Sequence, residues 1–309
     1  IKRQLFKLDS PTEKLTAIDW NPTGSAAILS SQYVFNDVVL NTKYSYQAGG
    51  IQRVLPIAIA GSKTLETGRY LAFGGNPFRN AKNAEMEQFL LNSFDWLKQK
   101  KTAELAEFNV VFTQLDNNDR SQTRAWFDSK VNNVSYNENG ACDGAKLSAC
   151  IAAKPDLIIV SNYMRDGDDN AALIQSTKDA LAQNIPVIYV QRGSDNNHHT
   201  TELLSILNVS YAYPNRWWQL YLSAFDPAST LDILPSNIIK IKTLLTNFKN
   251  KSFDVDLSSC ATRSCPAESN TQTEFFDGAN VISSMFNNFN NQKINIFATE
   301  GARLSKLII

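Results

Sequence analysis

Histidine is almost missing from this chain, with two in 309 residues, side by side at His198 and His199. Such a pair cannot furnish the spaced ligands of a zinc finger. Net charge is missing as well: 30 basic residues balance 30 acidic ones, and the pI is near 6.9. Without a basic excess there is no electrostatic footprint for a phosphate backbone, so no nucleic-acid partner is expected. No apolar run reaches the roughly 18 residues of a membrane-spanning helix. The longest, such as Leu157-Ile158-Ile159-Val160, are strand-sized.

Cysteine is scarce. The four present form two close pairs, Cys142/Cys150 and Cys260/Cys265, in polar, turn-rich sequence. Two disulfides, each contributing roughly 2–3 kcal/mol, are the first expectation and imply an oxidising, secreted setting. Free thiols and metal ligation are the other readings, the second weakened by the lack of zinc-type spacing. What is plentiful is ordinary globular material, 43% hydrophobic and 19% charged, which argues against disorder. At this length roughly 75% of the unfolded surface can be buried.

The first fifty residues are weakly patterned. From Leu55 the chain alternates: apolar runs at 55–60 and 69–73 joined by a polar turn, a helical spacing over 84–101, a strand over 109–115 and a helix over 119–130. A short helix between the first two cysteines, a strand over 156–161, a helix over 169–183 and a strand over 186–190 complete the run. Continuous β-branched strands separated by helices predict an α/β fold with a doubly wound, mostly parallel sheet, and the domain so built resembles amidotransferase-like or flavodoxin-like ones. Residues 214–225, 231–250 and 271–290 read as helical, so we expect an α/β domain over 1–226 with an irregular start, and a mainly helical segment over 227–309. The chain opens at Ile1 and closes on Leu307-Ile308-Ile309, which reads as a portion of a longer polypeptide.

In doubly wound sheets chemistry is housed where strands give way to helices. Three such turns stand out. Phe73-Gly74-Gly75-Asn76-Pro77-Phe78-Arg79 offers glycines for close backbone approach, but it is neither a dinucleotide nor a P-loop motif, and a structural glycine pair is the plainer reading. Ser161-Asn162-Tyr163 leads into acids 166, 168 and 169, which lack calcium-loop spacing and suit a helix cap better. Gln191-Arg192-Gly193-Ser194, ahead of the histidines, occupies a nucleophile-elbow position without a nucleophile at the elbow itself. Tyr211, Tyr213, Trp217, Trp218 and Tyr221 form the densest aromatic cluster, suited to core packing with Trp218 exposed.

Three segments carry a family resemblance: Gly68-Arg69-Tyr70-Leu71-Ala72-Phe73-Gly74-Gly75-Asn76-Pro77-Phe78, Cys142-Asp143-Gly144 to Cys150, and Lys154-Pro155-Asp156-Leu157-Ile158-Ile159-Val160. Over about Asp19 to Trp218 the chain resembles the non-catalytic N-terminal region of secreted bacterial mucin-degrading metalloproteases. These are the immunomodulating metalloproteases and related accessory colonisation factors. The resemblance implies a secreted or surface setting, a zinc peptidase domain further along the parent chain, and host glycoprotein or glycan as target. The sequence departs from the catalytic part of such enzymes, because H-E-x-x-H is lacking. No cofactor is expected within this stretch, and zinc belongs downstream. The resulting expectation is a binding or positioning module, with Asn76, Arg79, Asn162, Arg192 and Trp218 as contact residues and the downstream catalytic domain as partner. The alternatives are a hydrolase or amidotransferase-like enzyme using Ser161 or Ser194 with a histidine, and a purely structural scaffold.

Overall fold

The computed structural model describes residues 1–20, 27–31, 33, 35–41, 44–46, 52–53, 56–64, 67–79, 83–137, 141–163, 169–192, 198–212, 219–222, 224–225, 295–299 and 303–308. They belong to two compact units, 1–233 and 234–309. The first unit is built on a seven-stranded sheet. Its strands are β1 (Asp37–Asn41), β2 (Pro56–Ser62), β3 (Arg69–Phe73), β4 (Phe108–Thr113), β5 (Val134–Asn137), β6 (Leu157–Ser161) and β7 (Val187–Val190). The helices used below are α1 (Lys2–Leu5), α2 (Ala84–Lys98), α3 (Asn117–Lys130), α4 (Leu147–Ala152), α5 (Asn170–Ala182) and α6 (His198–Ile206).

Across the sheet the order is β1-β2-β3-β7-β6-β4-β5. β1, β2 and β3 form an antiparallel meander. From β3 to β5 every pairing is parallel, so the expected α/β, mostly parallel sheet is present. Parallel strands need crossovers, and the helices supply them on both faces.

Side-chain alternation divides the core in two. Leu71, Phe73, Phe108, Val110, Phe112, Ile159 and Val190 face one side, where Phe89, Leu90 and Phe94 of α2 and Trp126 and Phe127 of α3 cover them. Tyr70, Ala72, Val111, Ile158, Val160, Val187 and Tyr189 face the other, under Leu147 and Ile151 of α4, Leu173 and Leu181 of α5, and Leu203 and Leu204 of α6. The N-terminal segment, weakly patterned in sequence, seals the first face: Phe6 packs on Phe89 with ring centroids 5.3 Å apart.

Helix starts follow from short polar side chains. Asn83, Asp116 and Asp169 cap α2, α3 and α5 by accepting the N–H of Met86, Asp119 and Ala172 at 2.9, 2.7 and 2.9 Å. Asp169 thus takes the capping role that its sequence setting suggested.

One expectation needs correcting. Residues 214–225 are not a helix where described, because Gln219–Leu222 and Ala224–Phe225 are strands, pairing with Tyr44–Tyr46 and Ile18–Asp19. Tyr221 of the aromatic cluster therefore stands on a strand, and Tyr213, Trp217 and Trp218 lie outside the described residues. A run of aromatic and β-branched-compatible residues satisfies either period, and pairing with an earlier strand decides it. In the second unit Asn295–Thr299 pairs antiparallel with Arg303–Ile308. The helical stretches read at 231–250 and 271–290, with Cys260 and Cys265, lie outside the described residues.

Candidate functional site

The chain leaves β4 through α3 for β5 at one edge, and leaves β6 through α5 for β7 in the opposite direction. β4 and β6 therefore flank a topological switch point, the place where doubly wound sheets open a crevice beyond their strand ends. Four of the residues singled out in the sequence stand at this end of the sheet: Asn76 and Arg79 after β3, Asn162 after β6, and Arg192 after β7.

The turn after β3 is fixed from beneath. Gly74 donates its N–H to Ile57 O at 2.7 Å and accepts from Ala27 at 2.8 Å. A Cβ on Gly74 would lie 2.0 Å from the Ala27 carbonyl oxygen, so the glycine is there for backbone approach and its amide is already committed. Phe78 is the anchor, with ring centroids 5.3 Å from both Trp126 and Phe127. Asn76 closes the turn by accepting the Phe78 N–H at 3.0 Å, and donates to Thr123 of α3 at 3.1 Å. Arg79 then comes within 3.5 Å of the Asp119 carboxylate.

The turns after β6 and β7 are tied to each other. Asn162 accepts the Arg192 N–H at 2.7 Å and donates to the Arg192 carbonyl at 3.2 Å. The Arg192 guanidinium lies 4.2 Å from the Tyr163 ring centroid, a cation–π contact, and its Nε donates to Asp116 Oδ2. Asp116 thus caps α3 with one oxygen and binds Arg192 with the other. Burial alone would raise its pKa. The Asp119 N–H, the Arg192 guanidinium and the Asn118 N–H outweigh that and hold the carboxyl below its usual range. Asp119 is pushed the other way, first by burial and then by the charge of Asp116, with Arg79, Asn76 and Arg192 only partly offsetting them. Its Oδ1 is buried and makes no hydrogen bond; Arg79 supplies charge nearby without bonding geometry.

Asp116, Asp119 and Tyr163 complete the cluster, and reading the sequence for strand-end glycines and hydroxyls missed the two aspartates. The signal present was Asp116-Asn117-Asn118-Asp119 between an apolar strand and a helix, an N-cap pattern. A second support lies behind it. Gln114, directly after β4, has φ of 58°, in the left-handed region, and its N–H donates to Asp143 Oδ1 at 2.8 Å. Asp143 also pairs with Arg120 at 3.5 Å and follows Cys142, which is disulfide-bonded to Cys150.

Gln191, at the start of the elbow after β7, is engaged. Gln191 accepts hydroxyl hydrogens from Tyr189 and Tyr211 at 2.5 and 2.8 Å. Ser161 is fully buried, 3.4 Å from Asn162 Oδ1. Ser194 and Trp218 lie outside the described residues. Among the described residues no three His, Cys, Asp or Glu side chains converge as metal ligands.

Two domain families match the sequence. The immunomodulating metalloprotease N-terminal domain matches residues 53–214, and the immunomodulating metalloprotease helical domain matches residues 242–309. No curated protein matches the chain. Two solved structures share the fold. The structure of IMPa from Pseudomonas aeruginosa in complex with an O-glycopeptide aligns at 18% identity and TM-score 0.54, and the IMPa metallopeptidase from Pseudomonas aeruginosa at 17% and 0.53. Each alignment covers 97% of this chain and 32% of the other, so the chain spans about a third of their length.

Proposed function

Given that the chain belongs to the immunomodulating metalloprotease family, whose N-terminal domain accounts for more than half of it, we propose that it is the non-catalytic binding and positioning module of a secreted or surface-held zinc protease. Its target on this reading is glycosylated protein. The observation that carries the proposal is the strand-end cluster: Arg79 and Arg192, each about a third exposed, stand beyond the C-terminal strand ends over Asn76, Asp119 and Asn162, which are buried and hold the turns in place. Guanidinium groups held by packing are a chemistry that orients a hydroxyl-rich ligand. The IMPa structure that shares this fold holds an O-glycopeptide. The Cys142–Cys150 disulfide suits an oxidising compartment. Zinc would be held by the catalytic region further along the parent chain.

Calorimetric titration of the 309-residue chain with an O-glycopeptide and with its unglycosylated counterpart tests this. Binding of the first alone, weakened about tenfold by Arg79→Ala, is expected. No binding of either at millimolar concentration leaves the scaffold role instead.

A further inference from the structure

At the other end of the sheet, where β3 begins at Arg69, an open groove of about 730 Å³ lies between the N-terminal segment and the end of α2. Its walls carry Arg3, Lys7, Arg69, Lys100 and Lys101 against two acids, Asp9 and Asp95. Both acids are engaged. Asp9 pairs with Arg3 at 3.1 Å, and Asp95 accepts the Thr102 N–H at 2.7 Å. Lys7, Lys100 and Lys101 have no acidic partner among the described residues. Arg69 is fixed by donating to the Trp96 carbonyl while its guanidinium lies 5.2 Å from the Trp96 ring centroid. That bond and the Gln99 N–H both go to Trp96 O, a carbonyl of the last turn of α2. Lys98, the basic residue of the last turn, is spent on Asp156 at 2.7 Å.

In a chain of zero net charge, a concave patch with this local excess of cations has a specific chemistry. We propose that the groove binds a compact oxyanion, a carboxylate or sulfate ester displayed on a small polar molecule. Its volume is that of a pocket for a one- to three-ring ligand. Gln4, exposed on the same wall, supplies an amide group for a hydroxyl beside the anion. An acidic sugar and a sulfated peptide side chain share that oxyanion and are separated by the test.

The site does not depend on the strand-end cluster. The five residues of β3 place it roughly 17 Å away, so variants at one end leave the other intact. The experiment titrates the 309-residue chain with 3′-sialyllactose, lactose, a sulfotyrosine peptide and sodium sulfate at low and high salt. One or both of the organic oxyanions should bind, with lactose at least about tenfold weaker and affinity falling as salt rises. Lys100→Glu with Lys101→Glu should abolish that binding, and Lys7→Glu should weaken it about tenfold, while circular dichroism and O-glycopeptide affinity stay unchanged. Arg79→Ala should leave it untouched. Equal affinity for lactose, indifference to both charge reversals, or no binding of either organic oxyanion at millimolar concentration overturns the proposal. Binding of sodium sulfate alone overturns it too, since that is a cation patch without a ligand pocket.

Discussion

Asp116 and Asp119 stand three residues apart at the start of α3, yet their surroundings push their ionisation in opposite directions. Asp116 is held low, so its contribution to stability is present above the unfolded carboxylate pKa of about 3.9 and is lost as pH falls through the lower folded value. Arg192 is the charged partner in that balance. Arg192→Gln should therefore cost about 1–3 kcal/mol at neutral pH and move the acid limb of unfolding to higher pH, read from urea titrations across the acid range. An unmoved acid limb would show that the α3 amides alone hold Asp116 down. Asp119 carries the opposite sign. Its folded form keeps the proton more tightly than the unfolded chain, so stability declines as pH rises from about 3.9 through the raised folded value. Asp119→Asn removes that decline, and the variant should match or exceed the parent at pH 7, within about 1 kcal/mol. A loss well beyond that would mean that the attraction of Arg79 outweighs the cost of burying the carboxylate.

The loops that form the site are rigid because elements behind them are clamped. Cys142–Cys150 closes the loop that carries Asp143, and Asp143 holds Gln114 in its left-handed conformation at the end of β4. Cys150→Ser should lower stability by about 2–3 kcal/mol by the loop-closure estimate. It should also speed hydrogen exchange at the Gln114 amide more than at amides of the β6–β7 ladder; uniform exchange would separate the disulfide from the site. At this scale the sequence was legible wherever one period ran long enough. β2, β3, β4, β6 and β7 are apolar because both their faces are covered, and α2, α3 and α5 show one apolar stripe. β5 was not legible, since Val134–Asn137 is a short edge strand with mostly half-buried, polar side chains and carries no period of its own. The short strand at 219–222 was hidden for another reason, that its partner at 44–46 is remote in sequence. The candidate site divides the same way. Asn76, Arg79, Asn162 and Arg192 were visible as polar residues at strand ends, whereas Asp116 and Asp119 looked like helix-start residues. Only the strand order brings α3 beside the β3 and β7 loops.

Over the whole molecule two features stand at opposite ends of one sheet: a mixed-charge cluster beyond the strand C-termini and a cation-rich groove at the start of β3. Two separated contacts on one rigid body are what a positioning module of a large enzyme requires. The chain spans about a third of the IMPa structures that share its fold, and on the proposed function its contacts would act in series with those of a catalytic region elsewhere on the parent chain. A long glycosylated substrate held at both places rebinds from a high local concentration, which raises avidity without changing the chemical step. A short glycopeptide that reaches only the catalytic region gains nothing. On that reading, deleting the 1–233 unit from the parent protease should lower kcat/KM on long, densely glycosylated substrate about a hundredfold, at the low end of such effects, and leave kcat/KM on a short glycopeptide unchanged. Equal loss on both substrates, or reduced secretion with both rates intact, would instead assign the unit a scaffold role. The comparison is informative because the scissile bond and its nearest glycan are the same in both substrates, which differ only in the glycosylated chain beyond them.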